Sequence, residues 1–154
     1  MKGQQTARLD DGSIERWSNM VRIEIAYQGR LRCQAVHTPS GTTLLTDAPK
    51  DNMGQGASFS PTDLVATGLG ACMMTVMGIA AQKMQLDLTG ARVVVTKEMV
   101  MSPVRRIGKL GVVITVPQKL SEEQQQKLRN AAMTCPVHKS LHPDVAAPVE
   151  FEWG

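Results

Sequence analysis

Three cysteines are the residues of this chain best suited to chemistry, and they stand at positions 33, 72 and 135. A cysteine acts as a nucleophile through its thiolate, whose population depends on the surroundings of the side chain. Cys33 alternates with polar neighbours in a strand pattern, so we interpret it as a small buried hydrophobic residue. Cys72 lies among Ala, Gly and Met, where burial without a cation disfavours the thiolate. A core role and a reactive role both stay open for Cys72.

Cys135 differs from the other two cysteines because of the residues that follow it. Pro136 favours the first position of a helix, which makes Cys135 the N-cap of a short helix that Pro143 stops. Free backbone N–H groups and the helix dipole at such an end favour a thiolate, and His138 lies one turn on. Cys72 and Cys135 are 63 positions apart (72 to 135), so only the tertiary structure can bring them together.

A long apolar helix is predicted around Cys72. Ser60 is a suitable N-cap, Pro61 suits the first helical position, and Asp63 stands where a capping box has its acid. Residues 64–81 carry no charge, so the helix is apolar all round and belongs in a core. This run only just reaches the length of a membrane span and is diluted by Gly and Thr. We therefore predict a central helix of a soluble protein and no membrane partner.

The other patterns predict one α+β domain over residues 20–154, preceded over residues 1–19 by a polar stretch that forms a loose arm or a short helix near 13–17. Alternating residues predict strands, Gln28-Gly29 predicts the first hairpin turn, and Ser121 caps a second helix that runs to about Met133. The predicted strands cover about 21–27, 31–35, 42–46, 91–101, 107–116 and 149–153.

Composition narrows the class of protein. The 154 residues are 42% hydrophobic and only 3% aromatic, which predicts an aliphatic core rich in Met. The net charge of +3, without a run of Lys and Arg, argues against nucleic acid as a partner. Three scattered histidines and the lack of a C-x-x-C pair argue against a metal site. The first residues carry no secretory signal, so we predict reduced thiols and a cytoplasmic location.

Two motifs now carry a resemblance. SPTDL at 60–64, followed by GACM at 70–73, resembles the Asn/Ser-Pro-x-x-Leu…Ala-Cys helix of the OsmC/Ohr family. That family takes its name from osmotically inducible protein C and organic hydroperoxide resistance protein. CPVHKSL at 135–141 is similar to the family's Cys-Pro-Val-x-x-x-Leu element. The order and spacing of the elements agree from about Met20 to the C-terminus, as in a divergent OsmC-like branch.

The resemblance implies an intertwined homodimer, with a long central helix packed on curved antiparallel sheets and active sites at the subunit interface. It makes Cys72 the peroxidatic thiolate that becomes a sulfenic acid, and Cys135 the residue that resolves it as a disulfide. The implied substrates are organic hydroperoxides, with hydrogen peroxide left open. The implied reductant is a dithiol, such as a lipoylated protein, or a small thiol. No metal, haem or flavin cofactor is implied.

The sequence departs from the family where the resemblance implies an active-site glutamate, because Thr62 stands there. Asp63 is the nearest acid and the candidate to replace it, although a capping role is the better interpretation. Arg30 is the first candidate for the activating arginine, and the alternatives are Arg32, Arg22 and, more weakly, Lys50. The departure favours a second function: a slow or non-catalytic dimeric stress protein that senses redox state or binds a small molecule.

Overall fold

The computed structural model describes residues 20–154. They form two compact units, divided between Ser58 and Phe59. The arm or short helix predicted within residues 1–19 lies outside the described residues. A single domain over residues 20–154 stays a prediction.

The first unit is a three-stranded antiparallel sheet with the strands in chain order. Its strands are β1 (Ile23–Gly29), β2 (Arg32–His37) and β3 (Thr42–Asp47), and a 3-10 turn (Lys50–Asn52) follows. The first hairpin turn lies at Arg30-Leu31, two residues after the predicted Gln28-Gly29. Both turn residues have positive φ, 53° and 61°, as a two-residue hairpin turn with the right twist requires. Leu31, at the start of the strand predicted over 31–35, therefore lies exposed in the turn.

One face of this sheet carries large apolar side chains that are exposed. The register aligns Ile25 with Ala35, and Ala35 with Leu44, so that their side chains share one face. Four alternate residues lie on this side of the sheet, one just before β1 and three within it. We call them the β1 face: Val21, Ile23, Ile25 and Tyr27. Each of the four is between 58% and 69% exposed. The unit thus presents a strip of large apolar side chains that it does not bury itself.

The second unit is built around α1 (Pro61–Lys83), which begins with the predicted capping box between Ser60 and Asp63. Leu69, Met73 and Met77 on one side of α1 are completely buried. The opposite side is partly open, with Val65 39% and Ile79 49% exposed. The prediction that α1 is buried all round is therefore wrong for the single chain, because its own sheet and helices cover only one side.

A second sheet covers the buried side of α1. Its strands are β4 (Arg92–Val100), β5 (Arg106–Val116) and β6 (Val149–Trp153), in that order. Gly70 allows the close approach of α1, since a Cβ there would lie 2.9 Å from the Val95 side chain. The predicted inward residues of β5 are buried to 1% exposure or less: Leu110, Val112, Ile114 and Val116.

Two further helices, α2 (Glu122–Met133) and α3 (Pro136–Lys139), connect β5 to β6. This helical connection returns the chain in the same direction, so β6 pairs parallel with β5. The prediction of antiparallel sheets holds for the other pairs, and β6 is the exception. Leu128 and Ala132 of α2 complete the core against α1.

Among the described helices, α1 alone is long and apolar enough to cross a membrane by length and composition. Leu69, Met73 and Met77 of α1 are completely buried, as is typical of the core helix of a soluble domain. The packing therefore favours the core interpretation of α1.

Candidate active site

The fold brings Cys72 and Cys135 together. Cys72 lies about midway along α1, Cys135 caps α3, and these two helices pack against each other. The Cys72 side chain lies close enough to Cys135 to raise the pKa of the Cys135 thiol. A pair separated by 63 positions in the chain (72 to 135) is thus a pair of neighbouring sulfur atoms in space.

The two thiols differ in exposure. Cys135 has 0% of its surface exposed, whereas Cys72 is half-buried at the edge of the core. Cys33 belongs to the other unit, where it is half-buried in β2 and opposite Tyr27 and Thr46 in the sheet register. Of the two thiols of the second unit, Cys72 is therefore the one that a molecule from solution can reach.

Cys135 is held in place by its own backbone. Its N–H donates to the Ala132 carbonyl at 3.1 Å, and its carbonyl accepts from the Lys139 N–H at 3.1 Å. Its sulfur accepts a hydrogen bond from the His138 N–H at 3.5 Å, which confirms the predicted N-cap. The helix ends at Lys139, four residues before Pro143, so Pro143 is not what stops it.

The expectation that a helix N-terminus favours the Cys135 thiolate is wrong in its net direction. Burial raises the pKa of the Cys135 thiol, and the neighbouring Cys72 side chain raises it further. The backbone N–H groups of His138 and Val137 act in the opposite direction but are outweighed. The physical reason is that a four-residue helix has a small dipole, whereas the sulfur has no contact with water.

Asp63 has the capping role that the sequence favours. Its Oδ2 accepts from the Ser60 N–H at 2.8 Å, and its own N–H donates to Ser60 Oγ at 3.1 Å. Its other carboxylate oxygen, Oδ1, is bound by Lys97 Nζ at 2.5 Å. Partial burial alone would raise the pKa of Asp63, but the bonds from Lys97 and the Ser60 backbone outweigh it and the pKa is lowered. Both oxygens of the carboxylate are therefore engaged within the unit.

Lys97 is the residue that sequence reasoning missed. Its ammonium donates to Thr62 Oγ1 at 2.8 Å and to Ser60 Oγ at 3.4 Å, in addition to Asp63. Its side chain is only 17% exposed. Alternation in β4 could have found it, because Lys97 continues the inward set of Val93 and Val95 that faces α1. We call Ser60, Thr62, Asp63 and Lys97 the α1-start cluster.

The candidates for the activating cation belong to the first unit. Arg30 lies in the exposed turn between β1 and β2, and Lys50 opens the 3-10 turn. Arg32 donates to Gln55 at 2.8 Å and lies 3.6 Å from the Asp47 carboxylate, whereas Arg22 pairs with Glu24 at 3.1 Å. The assignment of Arg30 stays a prediction.

The fold and the site together define a class of α+β proteins. In this class a long core helix carries one thiol, and a second thiol that caps a short helix lies beside it. The family model described as OsmC-like protein matches residues 54–150. The chain belongs to this OsmC-like family. The resemblance inferred from the two cysteine motifs is confirmed, and so is the α+β fold with a long helix and two small sheets.

Solved structures support the same fold. A protein from Psychrobacter arcticus 273-4, named for osmotic stress induction and the detoxification response, is 44% identical, with a TM-score of 0.82 over 87% of this chain and 97% of its own. The organic hydroperoxide resistance protein OsmC from Legionella pneumophila is 15% identical, with a TM-score of 0.71 over 88% and 98%. One from Elizabethkingia anophelis is 14% identical, with a TM-score of 0.70 over 89% and 99%. No curated protein sequence matches the chain.

Proposed function

We propose that this protein is a thiol peroxidase that reduces organic hydroperoxides through Cys72, with Cys135 as the resolving residue. The observation that carries the proposal is the packing of α1 against α3, which brings Cys72 next to Cys135 within the second unit. Cys72 takes the first role because it is the more exposed of the pair. Membership of a family whose fold is shared by organic hydroperoxide resistance proteins supports the same chemistry.

The proposed reaction has two oxidative steps. The Cys72 thiolate attacks the terminal oxygen of the hydroperoxide, the O–O bond breaks, and the alkoxide takes a proton and leaves as an alcohol. Cys72 is then a sulfenic acid. Cys135 loses its proton and attacks the Cys72 sulfur, hydroxide leaves as water, and a Cys72–Cys135 disulfide forms. A dithiol, from a lipoylated protein or a small molecule, supplies the two electrons that restore both thiols.

The surroundings of Cys72 favour an apolar peroxide. Val76, one turn further along α1, is hydrophobic and packs like Cys72 against the edge of the core. The exposed side of α1 carries Val65 and Ile79. An organic hydroperoxide with a fatty or aromatic group would bury apolar surface there, which hydrogen peroxide cannot do. The proposed substrate class is therefore organic, and hydrogen peroxide is the weaker substrate.

We further propose that the protein acts as a homodimer in the cytoplasm. The β1 face and the open side of α1 leave large apolar side chains uncovered in one chain. A second copy that covers the β1 face and flanks the open side of α1, without closing the approach to Cys72, would remove most of this surface from water, with the N-terminal strands completing the partner's sheet. In such an assembly, Arg30 or another cation of the first unit would activate the Cys72 thiolate.

A second candidate function is redox sensing without fast turnover. Two observations favour it: Thr62 replaces the acid that the family resemblance implies, and Asp63 is already bound by both Ser60 and Lys97. An acid held in this way is less free to orient an arginine over the thiolate. A protein of this kind would form the disulfide once and would turn over slowly.

The test is to mix reduced protein with cumene hydroperoxide, tert-butyl hydroperoxide or hydrogen peroxide, and to follow peroxide loss together with the thiol count. A peroxidase consumes many equivalents of organic peroxide when a dithiol is present. A sensor consumes about one equivalent per protein and then stops. If peroxide consumed neither thiol, both proposals would be refuted.

A further inference from the structure

We infer that the dithiol reductant attacks the sulfur of Cys72 and that Cys135 is the leaving group. This inference rests on the proposed function, because it specifies how the disulfide of that reaction is opened. It concerns a choice that the disulfide alone leaves open, since either sulfur of the bond could accept the incoming thiolate.

The burial of Cys135 decides against attack on that residue. Its exposure is 0% in a single chain, and no association with a second copy can increase it. An incoming thiolate must approach along the axis of the S–S bond, on the far side of the sulfur that it attacks. Cys135 belongs to the buried core cluster, together with Leu128 and Ala132, so no side of its sulfur is open to solvent. Cys72 is the half-buried partner and offers the open approach.

Opening α3 to expose Cys135 would be costly. The move would break the bonds that Cys135 makes with the Ala132 carbonyl and the Lys139 N–H, and the bond from the His138 N–H to its sulfur. These bonds lie beside a fully buried part of α2, so their loss would also expose core side chains. Attack on Cys72 requires no such opening.

The raised pKa of Cys135 makes it a poorer leaving group, and two backbone N–H groups at its sulfur oppose this effect. When the disulfide opens, the negative charge appears on its sulfur, where the backbone N–H groups of His138 and Val137 point. These groups lower the pKa of Cys135 against the larger effect of burial, which means that they stabilise the charged sulfur. Because the pKa of Cys135 is raised, its sulfur holds a proton once it has left, and a protonated thiol does not attack back.

Reduction of the disulfide takes two thiol–disulfide exchange reactions. The first thiolate of the dithiol bonds to the Cys72 sulfur, the Cys72–Cys135 bond breaks, and Cys135 leaves with the electron pair and takes up a proton. The second thiol of the dithiol then loses its proton and attacks its own partner sulfur in the mixed disulfide. Cys72 leaves as a thiolate and the reductant becomes a cyclic disulfide. Peroxide and reductant therefore act on the same sulfur through the same approach.

The first experiment identifies the attacked sulfur. Protein with the Cys33→Ser background is oxidised with diamide, treated briefly with the monothiol mercaptoethanesulfonate, and trapped at timed points with excess N-ethylmaleimide in guanidinium at neutral pH. Peptide mapping should show the sulfonate adduct on Cys72 and the alkyl group on Cys135 at the earliest times. The adduct on Cys135, with alkylated Cys72, would overturn the inference.

The second experiment compares single thiols and does not require a disulfide. Cys33→Ser/Cys135→Ser leaves Cys72 alone, and Cys33→Ser/Cys72→Ser leaves Cys135 alone. With the aromatic disulfide dithionitrobenzoate, Cys72 should react at least about a hundredfold faster than Cys135. The two rates should converge in guanidinium, which shows that burial is the cause. Similar rates in the folded variants would refute the inference.

The two proposals fail separately. If the protein consumed no peroxide but gave the Cys72 adduct, the peroxidase proposal would fall and the direction of disulfide opening would stand. If the protein turned over peroxide but gave the Cys135 adduct, the reverse would hold.

Discussion

At the scale of single residues, the chemistry of this protein depends on two sulfur atoms in unlike surroundings. Cys72 is half-buried, whereas Cys135 is sealed in the core and bonded to backbone N–H groups. This asymmetry suits a division of labour in which the exposed thiol meets substrate and the buried thiol reacts only within the protein. Cys33, in the first unit, lies outside this pair.

We expect Cys72→Ser to abolish peroxide reduction, because a serine hydroxyl is not ionised at neutral pH. Cys135→Ser should allow one oxidation and then stall with a dithiol, leaving a sulfenic acid on Cys72 that a dimedone adduct would reveal by mass. Cys33→Ser is the matched control and should keep the wild-type rate. A Cys33–Cys72 link in peroxide-treated protein would contradict these roles.

The second prediction at this scale concerns Thr62 and Lys97. A glutamate at position 62 would be captured by the Lys97 ammonium, which already lies 2.8 Å from Thr62 Oγ1. Thr62→Glu alone should therefore change the peroxide rate at pH 7 by less than about threefold. In the Lys97→Met background the same change should raise the rate more, because the acid is then free to hold a cation.

The measurement for this second prediction is the peroxide rate of the four proteins in the double-mutant cycle, with Thr62→Gln as the uncharged control. Equal effects of Thr62→Glu in the presence and absence of Lys97 would show that Lys97 does not capture the acid.

At the scale of elements, the first turn of α1 is fixed by both a capping box and a strand. Ser60 and Asp63 exchange two hydrogen bonds, and Lys97 of β4 joins the same carboxylate. The α1-start cluster therefore links the helix to the sheet beneath it. α3 is the contrasting case, because it is only four residues long and depends on the packing around Cys135.

Asp63→Asn should lower the free energy of unfolding by about 1–2 kcal/mol, because the cap weakens and Lys97 loses its charged partner. The lowered pKa of Asp63 means that its contribution is present above the unfolded value of about 3.9 and is lost as pH falls through the folded pKa. Denaturant unfolding between pH 2 and pH 7 should therefore show a smaller acid dependence in the variant than in the wild type. A parallel pair of curves would contradict the assignment.

Burial of Cys135 predicts an alkaline dependence. Because its folded pKa is raised, its contribution is fully present below the unfolded value of about 8.5 and is lost as pH rises toward the folded pKa. The free energy of unfolding should thus fall above about pH 8.5, and Cys135→Ala should flatten this fall while lowering stability at pH 7. Cys33→Ala is the control. An unchanged alkaline slope in Cys135→Ala would show that another group causes it.

At the scale of the whole molecule, uncovered apolar surface is the main unexplained feature of one chain. The β1 face carries four large side chains on alternate positions, and the opposite face of β1 carries Glu24 and Ala26. One face of the strand is thus built for contact with protein and the other for water. This contrast supports the proposed homodimer.

Ile25→Glu should dissociate the dimer or unfold it, because a charge in an apolar interface loses its hydration. Ala26→Glu places the same charge on the opposite, exposed face of β1 and should leave the assembly intact. Sedimentation at micromolar concentration measures both variants against the wild type. A stable folded monomer of the wild type would refute the dimer.

The sequence by itself determined most local structure of the second unit. The cap at Ser60, the cap at Cys135, and the strand at Val149–Trp153 were all predicted from residue types and period. These features depend on residues a few positions away in the chain, so hydrophobic patterns and capping rules can predict them. The family likewise followed from two short motifs around Cys72 and Cys135.

Tertiary structure decided what distant residues do to one another. It put Cys135 beside Cys72 and out of contact with water, so that burial outweighs the helix end that the sequence alone emphasises. It put Lys97 on Asp63, a contact across 34 positions that no local rule contains. It turned β6 parallel, because the path of α2 and α3 sets its direction. Burial and long-range pairing are properties of the packed chain, and the pKa of each group follows from them.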